Sequence, residues 1–298
     1  MIGEKNTLIV IAGPTAVGKT AFSLALAKCL QTEIISADSR QFYRETVIGT
    51  AAPTAAEMDG IVHHFVGHLS VNEYYNVSMY EQDAINVLTK LFTKTNYAVL
   101  TGGSGLYIDS VCEGIDDLPD VDTDLRENLK RQLELNGVES LLNQLLKLDN
   151  EYYHRVDKKN PKRIMRALEV CLQTGKTYTS LRKQSQKQRN FNILKICLTL
   201  PRQTLCERIN QRTEEMMQNG FLQEAEGLLP YKHLNALNTV GYKELFDFLE
   251  GKITLDFAVE KIKTNTRRYA KRQMTWFNGK GDYLFFQPSQ FEEIVSLL

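Results

Sequence analysis

The sequence predicts an α/β fold: a parallel-sheet core with crossover helices, interrupted by an inserted helical subdomain. Three observations carry this. Short apolar runs of strand length recur, at "TLIVIAG" from Thr7, "EIISAD" from Glu33, "YAVLTGG" from Tyr97, "NILKICLTL" from Asn192 and "DYLFF" from Asp282. Helical patterns separate them, as in sheets whose strands are covered on both faces. The interval between the third and fourth runs is far longer than one crossover needs. Residues 114–191 are therefore expected to form a helical insert, with 1–113 and 192–298 as the catalytic core.

The first strand leads into "GPTAVGKT", Gly13 to Thr20, which matches GxxxxGK[ST] between a strand and a helix. That context predicts a phosphate loop and a P-loop NTPase-like core. Gly13 and Gly18 let the segment between them, Pro14, Thr15, Ala16 and Val17, curl its backbone N–H groups around an anion. Lys19 adds a point charge, and Thr20 is placed to hold Mg2+. The helix from Lys19 carries Phe22, Leu26 and Leu30 on one face, suited to packing on the sheet.

The second strand ends in "SADSRQFY", which puts Asp38 at the carboxyl end of the sheet, where open α/β folds bind ligands. Asp38 could ligate Mg2+, act as a general base or cap the strand end. In "HHFVGH", His64 and His68 are four apart, but Gly67 argues against a rigid helical pair and no carboxylate or thiol completes a zinc set. His63, His64 and His68 read as packing or substrate-lining residues. "LTGGSGLY" supplies a second glycine-rich turn on the same rim, compatible with a tight turn or with a crevice approached by two large ligands.

The insert opens on "EGIDDLPDVDTDLRE", with seven acids and one base, and then reads as two helices broken at Gly137. "NPKRIMRALEVCLQTG" starts a helix at Asn160, with Pro161 in the first turn and a stop at Gly175. Ile164, Leu168, Cys171 and Leu172 share its apolar face, and Lys162, Arg163 and Arg166 share the other. From Arg155 to Arg189 eleven bases face two acids, a local charge of +9. "RKQSQKQRN" reads as a flexible loop. Further on, "KIKTNTRRYAKRQMTWF" places Ile262, Thr266, Tyr269 and Gln273 on one helical stripe and Lys263, Arg267 and Lys271 on another. Six bases and no acid between Lys261 and Gln273 suit a phosphate backbone, although a solvated helix face would look the same.

Composition bounds the rest. In 298 residues, 36 Lys and Arg balance 36 Asp and Glu, so no global field draws the chain to nucleic acid or membrane. No apolar run is long enough to span a bilayer, and the opening residues lack a basic region followed by a cleavage site. Five cysteines without a CxxC pair read as buried free thiols. A cytoplasmic, membrane-free monomer is expected.

In order, "GPTAVGKT", "ADSRQFY" followed by "IGTAAPT", "HHF", "GGSGLY", "NPKRIMRALEV", "GF..EAEGLL", "TVGYKEL" and "YAKRQMTWF" make the chain resemble the bacterial tRNA dimethylallyltransferases, or tRNA isopentenyltransferases, nearly end to end. The resemblance implies transfer of a dimethylallyl group from dimethylallyl diphosphate to N6 of adenosine 37, beside the anticodon, with release of diphosphate. It implies Asp38 as general base, diphosphate in the loop with Lys19, Thr20-bound Mg2+ and candidate partners Arg208 and Arg212, and tRNA contacts at Asp38, Ser39, Arg40, Gln41, Ser104, Arg126 and the run Lys162, Arg163, Ile164, Met165 and Arg166. Two positions depart from the pattern: Ser104 stands where the family more often has Thr, and Ala52 where it often has Lys. The rivals are an adenylate isopentenyltransferase using free nucleotide, a P-loop small-molecule kinase and a non-catalytic RNA-binding module. The basic insert favours a polyanionic acceptor over the first two, and the third would not need Lys19, Thr20 and Asp38 on one rim.

Overall fold

All five apolar runs form strands, and a two-residue strand joins them in a six-stranded, fully parallel sheet among the described residues. The computed structural model describes residues 6–182 and 187–298. In chain order its strands and α-helices are β1 (Thr7–Ala12), α1 (Lys19–Cys29), β2 (Ile34–Ser36), α2 (Ala55–Met58), β3 (His63–His64), α3 (Val77–Leu91), β4 (Tyr97–Gly102) and α4 (Gly105–Cys112), followed by α5 (Thr123–Leu148), α6 (Asn150–Arg155), α7 (Pro161–Thr174) and α8 (Tyr178–Leu181), and then β5 (Asn192–Leu198), α9 (Arg202–Gln218), α10 (Phe221–Leu228), α11 (Tyr242–Leu249), α12 (Leu255–Lys280), β6 (Leu284–Phe286) and α13 (Phe291–Val295).

The chain divides into two units, Met1–Cys112 with Arg189–Leu298, and Glu113–Gln188. In the first, the sheet order is β3-β2-β4-β1-β5-β6. Ala12 lies level with Gly102 and Cys197, and Ser36 level with Thr101. The carboxyl ends of the four central strands therefore form one rim, and the loops that leave them meet there. Alternation along β1 explains its unbroken apolarity: Leu8, Val10 and Ala12 enter one core, Ile9 and Ile11 the other. Phe22 and Leu26 of α1 pack on the second face with Ile294 of α13, as the α1 pattern predicts.

The second unit has its own core, with Leu129, Leu141, Leu145, Tyr152, Ile164 and Leu168 at its centre. Gly137 breaks α5 with φ 71° and ψ 178°, so the segment is two helices, as read from the sequence. Asn160 caps α7 by accepting the Arg163 N–H, Pro161 occupies its first turn, and Gly175 ends it in the left-handed region. Leu172 departs from its expected apolar face and is exposed. It lies in the last turn, where Cys171 already fills the core. The expectation of buried thiols holds for Cys112, Cys171 and Cys197, whereas Cys206 is half-buried and Cys29, at the end of α1, is exposed. Of the loop read from "RKQSQKQRN", residues 183–186 lie outside the described residues. Among the described residues, no helix is long and apolar enough to cross a membrane.

Candidate active site

The phosphate loop is shaped by close approach and left-handed backbone. Gly13 has φ 146°, and a Cβ there would lie 2.7 Å from the Leu198 carbonyl oxygen of β5. Ala16 (φ 65°) and Gly18 (φ 108°) turn the chain into α1, while Pro14 and Val17 are buried. Lys19 Nζ donates to the carbonyls of Gly13 (3.0 Å) and Pro14 (2.8 Å), which anchors it inside the curl. Burial pulls its pKa down to about 8; the negative field of Asp38 opposes this and the Arg212 cation adds to it.

Two arginines of α9 reach the same loop. Arg208 donates to the Val17 carbonyl (3.4 Å), and Arg212 to the Thr15 hydroxyl (3.2 Å) and the Thr50 carbonyl (3.4 Å). Burial holds Arg212 below its ordinary pKa, again against the pull of Asp38. A cation kept in such a place favours an arriving anion, since an anion replaces the water it has lost. Thr20 is exposed and borders a recess of about 20 Å³ shared with Ser23, Ser36 and Gln41.

Asp38 follows β2 on the same rim. Its Oδ1 accepts the Arg40 N–H at 3.1 Å, and its charge is felt at Lys19, Arg212 and Tyr269. Ser39 donates its N–H to Ser104 Oγ at 3.1 Å, so the hydroxyl retained at position 104 ties the second strand's loop to the glycine turn. Arg40 and Gln41 are engaged in bracing: Arg40 donates to the carbonyls of Asn235 and Ala236, Gln41 to those of Thr50 and Ala51. Beside the turn lies a cavity of about 260 Å³, lined by Ser39, Ser104, Tyr107, Tyr269, Arg272, Gln273 and Trp276 with the glycines of the turn. Burial and the Asp38 charge push the Tyr269 phenol up to about 12, so it stays a neutral donor.

The histidines divide: His63 borders the recess beside Thr20, His64 pairs with a carboxylate and His68 packs among aromatic rings. His63 Nδ1 bonds the Ile61 carbonyl, His64 Nε2 meets Glu33 at 2.6 Å, and His68 stacks edge-on against Phe42, Phe65 and Tyr75.

In the second unit the expected tRNA-contacting residues differ in kind. Lys162 and Arg163 are exposed and Met165 is half-buried, but Ile164 is fully buried in the unit's core, so its side chain serves packing instead of contact. Arg126 donates through Nε and Nη2 to the buried carboxylate of Glu169 (2.5 and 2.7 Å), and Arg166 donates to Glu169 (3.3 Å) and the Pro119 carbonyl (2.7 Å). These two arginines hold the acidic opening segment to α7, which removes Arg166 from the free basic face expected for it.

Sequence reasoning missed several positions. Thr15 donates its N–H to Gln273 Oε1, and Gln273 Nε2 donates to the Gly103 carbonyl. Glu224 accepts the N–H groups of Ile48 and Gly49, both at 2.8 Å, and the Tyr242 hydroxyl. Gly49 must be glycine because a Cβ would lie 2.2 Å from Phe221. The motifs "GF..EAEGLL" and "TVGYKEL" thus hold the "IGT" loop, whose Thr50 carbonyl receives Arg212. One signal was available: the stripe Tyr269 and Gln273 share with Ile262 marks them as inward-facing.

The IPP transferase family model matches residues 41–280. The chain is 51% identical over 292 residues to tRNA dimethylallyltransferase 1 of Bacteroides thetaiotaomicron, covering 98% of this chain and 95% of that one. It is 50% identical over 293 residues to tRNA dimethylallyltransferase 1 of Bacteroides fragilis, covering 98% and 97%. Among solved structures, a full-length tRNA isopentenylpyrophosphate transferase from Bacillus halodurans is similar at TM-score 0.72 and 35% identity, covering 98% of this chain and 95% of that one. A eukaryotic dimethylallyltransferase acting on tRNA is similar at TM-score 0.78 and 27% identity, covering 95% and 74%.

Proposed function

The chain belongs to the IPP transferase family, and from that premise we propose that it transfers a dimethylallyl group from dimethylallyl diphosphate to N6 of adenosine 37 of tRNA, releasing diphosphate. The observation that carries the reading is the pairing, on one rim, of an anion cradle rich in cations with a carboxylate and an aromatic-lined cavity. An adenine amine is a weak nucleophile because its lone pair is delocalised into the ring. The allylic C–O bond must therefore be well advanced in breaking before N6 engages, and most of the catalytic burden falls on the leaving diphosphate.

The loop's N–H groups, Lys19, Arg208 and Arg212 are arranged to stabilise the charge that develops on that diphosphate. As the N6–carbon bond forms, the electron pair of the C–O bond leaves with the diphosphate. The proton lost from N6 goes to the Asp38 carboxylate. Thr20 offers an exposed hydroxyl at the loop, an oxygen donor of the kind Mg2+ takes. Held by Thr20, Mg2+ would neutralise part of the diphosphate charge.

The adenosine must leave its stack, at a cost of about a few kcal/mol that is smallest in a loop. Exposed Lys162 and Arg163 on α7, and Arg268, Lys271 and Arg272 on α12, supply phosphate contacts that offset it. Labelled dimethylallyl diphosphate offered with unmodified tRNA, with AMP or with no acceptor tests the reading. Label is expected in tRNA alone; label in AMP and never in tRNA would overturn it in favour of an adenylate isopentenyltransferase.

A further inference from the structure

Gln273 is buried on α12, and a buried amide needs partners at both ends. It finds them on two different loops. Its Oε1 accepts the Thr15 N–H of the phosphate loop and its Nε2 donates to the Gly103 carbonyl of the second glycine turn, each at 2.9 Å. The fit is close enough that a Cβ on Gly103 would lie 2.1 Å from Nε2. Gly103 is not in the left-handed region, so it is this approach that calls for glycine there.

Each loop is fastened further on its own side. The Thr15 hydroxyl accepts from Arg212, and Ser104, next to Gly103, accepts from Ser39 and pairs with Tyr269. The Gln273 amide is thus a direct side-chain link between the anion cradle and the turn that borders the 260 Å³ cavity, beyond the pairing of β1 with β4. We infer that Gln273 is a positioning residue that sets the separation of the two substrates by clasping the phosphate loop to the glycine turn. This rests on the reading that the cradle holds the leaving diphosphate and the cavity the acceptor. When the reacting atoms belong to two ligands on two loops, a displacement of about 1 Å lowers the rate up to about 100-fold while each ligand still binds.

The test uses the full chain, dimethylallyl diphosphate and unmodified tRNA, with Q273A, Q273E, G103A and the Q273A/G103A double variant. Single-turnover transfer by Q273A should fall about 10- to 100-fold, with either KM changed less than about threefold. Q273E, which keeps the acceptor for Thr15 but sets a carboxylate oxygen against the Gly103 carbonyl, should fall at least as far as Q273A. G103A should be harmful in the wild-type background, where its methyl strikes Nε2, and add little to Q273A, where that atom is gone. A Q273A rate within twofold of wild type, a loss confined to KM, or an equal G103A effect in both backgrounds would overturn the inference. If Q273A does not fold, a wild-type rate in Q273E overturns it. Backbone hydrogen exchange over residues 13–18 gives a reading free of any reaction: Q273A or Q273E should accelerate it, and unchanged exchange counts against the clasp. Wild-type protein that prenylates no tRNA would instead refute the functional reading, with exchange still deciding the clasp.

Discussion

On the proposed mechanism, Asp38 is the residue on which the chemistry turns. It is the carboxylate whose field reaches Lys19, Arg212 and Tyr269 together, so it can take a proton from an amine without leaving the cradle's electrostatic reach. Asp38→Asn keeps the shape and the acceptor for the Arg40 N–H and removes the base. Single-turnover transfer should fall about 10²- to 10⁴-fold with donor affinity within a few-fold, as measured by rapid quench and calorimetry. Lys19 adds a pH signature. Its pKa of about 8 lies below the unfolded value of 10.5, so the unfolded chain binds the extra proton between those pH values. Stability of the ligand-free protein should therefore rise with pH across that window, and the burden of the buried charge is fully present below it. Donor binding runs the other way: affinity should weaken as pH rises past about 8, and Lys19→Arg, which stays charged, should lose that inflection. Much of the loop was legible because an anion cradle demands a fixed pattern of glycine, lysine and hydroxyl. For Gln273 the helical stripe marked only that it faces inward; its use was not legible, because its two partners, Thr15 and Gly103, are distant in sequence.

At the scale of elements, α7 shows which features of a helix can be read in one dimension. Asn160, Pro161 and Gly175 act within their own turns, so its boundaries follow from local chemistry. The uses of its arginines do not, because Glu169 recruits Arg126 from α5 and Arg166 from its own turn. Glu169→Ala should leave both arginines without their buried partner and destabilise the protein by about 3 kcal/mol, near the low end for a broken buried pair because the arginines keep some water access, as chemical denaturation would measure. Among the described residues Lys162 and Arg163 have no such tie, and both are exposed. The Lys162→Ala, Arg163→Ala double variant should reduce the slope of log tRNA affinity against log salt by about 1 to 2 units with little change in thermal stability. An unchanged slope would take that face out of the tRNA contact.

For the molecule as a whole, a parallel sheet covered on both faces made the fold readable, since each central strand announces itself as a short apolar run. The two-residue β3 carries no such signal; it forms because β2 offers it an edge. The motifs that fall in the first unit are explained by one arrangement in which β1, β2, β4 and β5 deliver their loops to a common rim, and α9 and α12 close over them. On the proposed mechanism, phosphates held on that rim would be a leaving group instead of an energy source. The measurement that tests this most directly is the stoichiometry of diphosphate released to N6-prenylated adenosine formed, with tRNA carrying adenosine or guanosine at position 37 and ATP withheld. The account predicts one diphosphate per prenylated adenosine, all at position 37, and no release above background with the guanosine tRNA. Release without transfer, or transfer that requires ATP, would contradict it.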